Sequence, residues 1–133
     1  MSHRILIVED EALVALELEA TLDELGHEIV GIAPDSSTAL KLVGHAPDVA
    51  LVDINLRDGP TGITLGTRLA QEFGVNVLFV TANPRSLADG IPGTIGVLPK
   101  PYSAEDVKAV MNYLAGQDTV PAFLKIFSRE SAA

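Results

Sequence analysis

The chain has 133 residues, of which 47% are hydrophobic and 20% charged, a balance that is typical of one globular domain and excludes a disordered chain. Its formal net charge of −9 argues against nucleic acid or an anionic membrane surface as a partner. There is no cysteine, no signal peptide pattern in the opening MSHRILIVED, and no apolar run of the roughly 20 residues that a membrane span needs, so we expect a cytoplasmic protein whose metal ligands are oxygen or imidazole.

The first half of the chain alternates short apolar runs with helical patterns. The runs that predict buried strands are residues 4–8, 28–33 and 49–54. Between them, apolar residues recur at helical spacing over 12–25, where Gly26 follows, and over 36–44, where Asp35 or Ser36 is the expected N-cap. The pattern is therefore strand, helix, strand, helix, strand.

The second half of the chain continues the alternation. A cluster of turn residues follows the third strand: Asp58, Gly59, Pro60 and Gly62. We predict a helix over about 63–73, a strand over 76–80 that Thr81 closes, and a strand over 95–98. Two prolines and several glycines between residues 83 and 96 predict a short or irregular fourth helix.

The last predicted helix begins at a capping box and ends near residue 114. Ser103 and Asp106 have the spacing of that motif. We assign residues 1–116 to one domain and 117–133 to a C-terminal tail, whose apolar patch at 122–127 either docks on a partner or packs back on the domain. Five strand and helix alternations predict a doubly wound α/β fold with five parallel strands.

Polar residues stand where the predicted strands end. Glu9 and Asp10 follow the first strand, Asp53 ends the third, Thr81 ends the fourth and Lys100 follows the fifth. Because ligands of open parallel sheets bind outside the carboxyl ends of the strands, we expect these side chains to meet in one crevice. Three clustered carboxylates repel one another unless a hard divalent cation lies among them, which indicates Mg²⁺.

The chemistry that fits this cluster is phosphoryl transfer. The expected Mg²⁺ ligands are Asp10, Asp53 and the backbone carbonyl of Asn55, with Glu9 acting directly or through water. Asp53 is the expected nucleophile, forming an acyl phosphate. Lys100 as a point charge and Thr81 as a hydroxyl donor would assist.

Taken singly, these residues have ordinary explanations. An acidic pair after a strand is commonly a solvated loop or a helix start, Thr81 a common strand-end residue and Lys100 a common loop lysine. Asp53 is the more informative residue, because a carboxylate in an apolar strand is costly to bury without a partner. The combination at four strand ends is what predicts a site.

Four motifs resemble the two-component receiver family over residues 4 to about 115: ILIVEDE, VALVDINL, VLFVTA and the pair Lys100-Pro101. The resemblance implies a flavodoxin-like receiver fold and phosphorylation of Asp53 by a histidine kinase or a histidine phosphotransfer protein. It also implies Mg²⁺ at Glu9, Asp10 and Asp53, phosphate contacts from Thr81 and Lys100, and a cis peptide bond before Pro101. Output would pass through a downstream protein partner, or the domain would act as a phosphate sink.

The sequence departs from the family at Val97, three residues before Lys100, where receivers usually carry an aromatic residue. Two other functions stay open. A metal-dependent phosphatase would use the same aspartyl nucleophile but normally has a second acid where this chain has Asn55. A receiver that binds partners without being phosphorylated, or a nucleotide-binding flavodoxin-like domain, would not need the acids and lysine, and no Gly-rich phosphate loop follows the first strand. We therefore expect no turnover of an external substrate.

Overall fold

A computed structural model of the chain describes residues 2–87, 90–116 and 125–126. The described strands form one sheet in the order β2-β1-β3-β4-β5-β6, in which the first five are parallel. The strands are β1 (Arg4–Val8), β2 (Glu28–Ala33), β3 (Val49–Asp53), β4 (Asn76–Thr81), β5 (Gly96–Pro99) and β6 (Lys125–Ile126). The doubly wound parallel sheet that the sequence predicts is confirmed.

Helices cover both faces of this sheet. They are α1 (Ala12–Glu24), α2 (Ser36–Leu42), α3 (Gly62–Phe73) and α4 (Ala104–Leu114). Buried residues of α2 and α3 pack in one apolar cluster with one face of the strands, whereas buried residues of α1 and α4 pack in a second cluster with the other face. Strands that are covered on both faces have no polar side, which explains why β1 and β3 are continuous apolar runs.

Two helices begin at the caps that the sequence predicts. Asp35, one of two candidates, is the N-cap of α2, and its carboxylate accepts a hydrogen bond from the backbone N–H of Thr38 at 2.8 Å. Ser103 and Asp106 form the reciprocal capping box of α4. Each contact satisfies a backbone donor that the first helical turn leaves free. Strands β1 and β2 have the predicted bounds, and the predicted ends of the other elements lie within two residues of the observed ones, the usual uncertainty at frayed helix and strand ends.

In the region of the predicted fourth helix, the helical segment is short, as expected. Residues Pro84–Leu87 form a single 3₁₀ turn rather than an α-helix. Pro84 fixes its own φ angle and has no N–H to donate, and Gly90 follows with a φ of 75°. The buried Leu87 ties the turn to the cluster that contains Val97, which is itself fully buried.

The predicted tail contributes a sixth strand that the sequence pattern does not indicate. Lys125 and Ile126 pair antiparallel with Val97 and Gly96 of β5, and Ile126 packs against the α1 and α4 side of the core. At this point the tail packs back on the domain. The rest of the apolar patch lies outside the described residues, and the domain boundary at residue 116 stays a prediction.

The peptide bond between Lys100 and Pro101 is cis, as the resemblance implies. None of the helices in the described ranges has the length and apolar character needed to cross a membrane.

Candidate functional site

Three carboxylates meet where the strand order reverses, at the carboxyl ends of β1 and β3. These strands are neighbours, with Val8 in register with Val52, so the residues that follow β1 lie beside Asp53 at the end of β3. Glu9, Asp10 and Asp53 each place a carboxylate oxygen within 4.8 Å of the others. Glu9 and Asp53 are buried, whereas Asp10 is half-buried.

Lys100 joins two of these acids. Its Nζ lies 2.8 Å from Oδ2 of Asp53 and 3.1 Å from Oε1 of Glu9. The backbone N–H of Lys100 donates to the carbonyl of Thr81 at 2.8 Å, so the lysine is held at the end of the β4 and β5 pair. The predicted meeting of strand-end residues in one crevice is therefore present.

Burial and charge shift the protonation of the cluster. The pKa of Glu9 is raised from 4.5 to about 7, because burial disfavours its charge and Asp53 repels it, against the opposing contacts of the Glu11 N–H and Lys100. Burial disfavours the charge of Lys100 as well, but its hydrogen bonds to Asp53 and Glu9 outweigh that cost and raise its pKa. Lys100 is therefore a permanent cation at neutral pH.

The donor set fits a hard divalent cation. With all groups ionised, three carboxylates and one ammonium leave two negative charges in a crevice built of oxygen ligands. Oxygen ligands and partial exposure suit Mg²⁺, which keeps several waters of its own. The described residues hold no other group of three or more acidic or histidine side chains close enough for a metal ion.

Thr81 and Asn55 border the acids. Thr81 follows Val80, the register partner of Asp53, and its buried hydroxyl accepts a hydrogen bond from the Asn83 N–H at 3.0 Å. Asn55 is exposed, and its backbone N–H donates to Oδ1 of Asp53 at 3.0 Å. The Asn55 carbonyl as a metal ligand and the Thr81 hydroxyl as a phosphate donor stay predictions.

A groove of about 490 Å³ leads from solvent to Lys100 between α1 and α4. Glu11 and Glu17 line the α1 side, and Tyr102 lies beside the lysine. The same helix α1 also exposes two large apolar side chains, Leu13 at 70% and Leu16 at 54%. Exposed leucines three residues apart on a helix present one apolar surface.

Two of these features were not predicted from the sequence: the position of Tyr102 beside Lys100 and the exposed leucines of α1. The signal for the exposed leucines was available, because α1 is apolar at Leu13 and Leu16 as well as at the buried Ala15, Leu18 and Leu22. A helix that is apolar around most of its circumference has a second face to cover.

Comparison with known proteins identifies the family. Residues 5–112, from β1 through most of α4, match the family described as response regulator receiver domain. The chain belongs to the response regulator receiver family. This receiver is 37% identical over 115 residues to the phyllosphere-induced regulator PhyR of Methylorubrum extorquens, a match that covers 84% of the chain and 43% of PhyR. It is 36% identical over 111 residues to the transcriptional regulatory protein PdtaR of Mycobacterium tuberculosis, covering 79% of the chain and 53% of PdtaR.

Solved structures agree with the fold. The receiver is 34% identical to the solution structure of the PhyR REC domain of Erythrobacter litoralis, with a TM-score of 0.76, covering 91% of this chain and 96% of that one. The crystal structure of PhyR from Brucella abortus is 36% identical with a TM-score of 0.76, covering 84% and 46%. The chain spans about half the length of the curated relatives that it matches.

Proposed function

We propose that Asp53 accepts a phosphoryl group from a histidine kinase or a histidine phosphotransfer protein, with Mg²⁺ held by Glu9, Asp10, Asp53 and the backbone carbonyl of Asn55. One observation carries this proposal: the carboxylate of Asp53 lies among two further acids and 2.8 Å from the Lys100 ammonium. A buried nucleophile beside a fixed cation and a divalent metal site suits transfer of a charged phosphoryl group.

In the proposed step, a carboxylate oxygen of Asp53 forms a bond to phosphorus as the bond from phosphorus to the donor nitrogen breaks, and the histidine leaves with that electron pair. Lys100 keeps its charge throughout and balances the negative charge that the acceptor gains. The buried Thr81 hydroxyl donates to a phosphoryl oxygen. Mg²⁺, when bound, supplies neutralisation of charge on the transferring oxygens.

A protein donor is favoured over a small one by the surface beside the site. Leu13 and Leu16 are the two most exposed large apolar side chains among the described residues, and both lie on α1, the helix that begins two residues after Asp10. An apolar strip is of no use to a small phosphodonor, whereas it suits a partner helix. We assign the strip to the phosphodonor protein.

The proposed output is contact with a downstream protein, with a phosphate sink as the alternative. A PhyR structure from Bartonella quintana, 33% identical with a TM-score of 0.74, is described as an anti-anti-sigma factor. We propose residues 1–116 as the receiver. It would turn over no external substrate and lose its phosphoryl group only to water or to a partner.

The experiment uses the full chain with Mg²⁺ and acetyl phosphate, followed by intact mass measurement. A single phosphoryl adduct that is absent in Asp53→Asn and in excess chelator is the expected result. The absence of an adduct in the wild type, with acetyl phosphate and with a panel of kinases, would favour a receiver that only binds partners. Repeated hydrolysis of small phosphate esters would instead indicate the phosphatase.

A further inference from the structure

The first residue of α3 lies directly against the backbone of Asp53. A Cβ atom built on Gly62 would lie 2.1 Å from the carbonyl oxygen of Asp53, 2.6 Å from the Cα of Ile54 and 2.7 Å from its carbonyl oxygen. Real Cβ atoms do not approach other atoms this closely. All three neighbours are backbone atoms, so no change of side-chain rotamer relieves the overlap. Any side chain at this position displaces α3 or the end of β3.

Hydrogen bonds hold this close approach in place. The Gly62 N–H donates to the Ile54 carbonyl at 2.9 Å, which closes the loop between β3 and α3. Inside the loop, Leu56 and Gly59 exchange backbone hydrogen bonds of 2.9 and 3.0 Å. The Thr61 hydroxyl donates to Oδ1 of Asp58 at 2.7 Å. The loop is therefore a closed unit that meets β3 at Ile54.

The same backbone determines where the Asp53 carboxylate lies. Ile54 is anchored on its other side, since its N–H donates to the Val80 carbonyl of β4 at 3.3 Å. The next amide along the chain, that of Asn55, donates to Oδ1 of Asp53. A shift of the backbone at Asp53 and Ile54 therefore moves the carboxylate and its hydrogen-bond donor together.

We infer that Gly62 is a positioning residue for the Asp53 carboxylate, because only a residue without a side chain lets the start of α3 seat on the backbone of Asp53. Gly62 contributes no atom to the chemistry. It sets the place of the acid relative to Lys100 and to the metal site. The effect that we predict on phosphoryl transfer rests on the proposed function, whereas the effect that we predict on Mg²⁺ binding does not.

The test compares Gly62→Ala with Gly66→Ala in the full chain. Gly66 is a matched control one turn further along α3, where an added Cβ meets the Phe79 ring at 2.4 Å rather than the site. Both variants should lower the midpoint of urea unfolding. Because a displacement of about 1 Å can cost on the order of a hundredfold in rate, we expect Gly62→Ala to slow acetyl phosphate labelling by about tenfold or more. Gly66→Ala should label at the wild-type rate.

The second readout is Mg²⁺ affinity, measured by a titration that monitors the NMR shift of the Asn55 amide. Mg²⁺ affinity should be weaker in Gly62→Ala and unchanged in Gly66→Ala. Before metal is added, the Asn55 amide should be shifted in Gly62→Ala but not in Gly66→Ala. Equal labelling and equal Mg²⁺ affinity in the two variants would overturn the inference. No labelling of the wild type would instead count against the proposed function and leave the metal readout to decide.

A second pair of variants covers the case in which Gly62→Ala does not fold. Thr61→Val removes the hydroxyl that closes the loop onto Asp58, and Thr61→Ser retains it. We expect Thr61→Val to weaken Mg²⁺ binding severalfold and Thr61→Ser to restore it. Wild-type affinity in Thr61→Val would contradict the inference.

Discussion

The ammonium of Lys100 and the carboxylate of Asp53, 47 residues apart in the chain, lie 2.8 Å apart in the fold. Two separate β-strands bring them together, β3 ending in Asp53 and β5 ending one residue before Lys100. The same ammonium also contacts Glu9 at 3.1 Å, so one cation offsets two buried acids. A divalent metal ion bound at these acids would therefore share their neutralisation with Lys100.

This shared role predicts opposite effects of Lys100→Met on binding and on transfer. Without the ammonium, the acids keep more uncompensated negative charge, so Mg²⁺ should bind severalfold more tightly. Labelling by acetyl phosphate should slow by about a hundredfold, the range found when a preorganised electrostatic contact is removed. Mg²⁺ titration and intact mass kinetics measure the two effects. Lys108→Met, an exposed lysine on α4, is the matched control. Weaker Mg²⁺ binding in Lys100→Met would contradict the shared role.

Glu9 predicts a pH dependence of metal binding. Its pKa of about 7 in the metal-free protein means that a proton must leave before the carboxylate can serve the cation. Mg²⁺ affinity should therefore fall as the pH drops below 7, approaching tenfold per unit, and level off above 7. Glu9→Gln, which cannot ionise, should bind Mg²⁺ less tightly at high pH and lose this dependence near 7. An unchanged slope in that variant would assign the titration to another group.

The exposed leucines of α1 predict a loss that depends on the donor. Leu13→Glu and Leu16→Glu should slow phosphorylation by a kinase or phosphotransfer protein by about tenfold or more, since they place charge in an apolar contact. Labelling by acetyl phosphate should stay at the wild-type rate. Phe73→Glu is a matched control, because Phe73 is 46% exposed at the end of α3, away from α1. If all three variants slow kinase transfer equally, α1 is not the docking strip.

A histidine at the opposite end of the sheet predicts how stability depends on pH. His27 is buried, and its Nδ1 accepts a hydrogen bond from the His3 N–H at 3.0 Å. Burial, with the nearby His3 and the N-terminus, lowers its pKa from 6.5. The unfolded chain therefore takes up this proton first, so the contribution of His27 to the free energy of unfolding should fall as the pH drops through 6.5 toward the lower folded pKa.

Urea unfolding at a series of pH values measures this effect. His27→Gln, which retains polar atoms but does not titrate, should show a shallower loss between neutral and mildly acidic pH. If the unfolding free energy of His27→Gln depended on pH in the same way as that of the wild type, another group would be responsible for the titration. Glu9 contributes with the opposite sign, because its raised pKa lets the folded chain take up a proton near pH 7, before the unfolded chain does. The comparison of His27→Gln with the wild type isolates the His27 contribution, since both chains retain Glu9.

The strand ends show why the sheet and the meeting of site residues could be predicted from the sequence. β1 and β3 are buried on both faces, so each is an unbroken apolar run, and a parallel sheet brings the carboxyl ends of such runs to one edge. That rule alone predicts that the polar residues at the strand ends lie together: Glu9, Asp10, Asp53, Thr81 and Lys100. The short or irregular fourth helix that is predicted near Pro84 follows equally from local backbone chemistry.

Other features depend on distances between elements, which local patterns do not contain. The sixth strand rests on two residues, Lys125 and Ile126, whose pairing with β5 is decided by where the chain returns. Gly62 looks like any turn glycine until α3 is placed against Asp53. The raised pKa of Glu9 arises from burial, which becomes visible only once both neighbouring strands are in position.

Mapping the modified residue shows whether Asp53 is the residue that carries the phosphoryl group. The chain is labelled with acetyl phosphate and Mg²⁺, the acyl phosphate is reduced with borohydride, and peptides are sequenced by mass spectrometry. Reduction converts a phosphorylated aspartate to homoserine, so phosphorylation of Asp53 predicts homoserine at position 53 alone. Homoserine at position 10, or a phosphoryl adduct on the intact chain of Asp53→Asn, would contradict it.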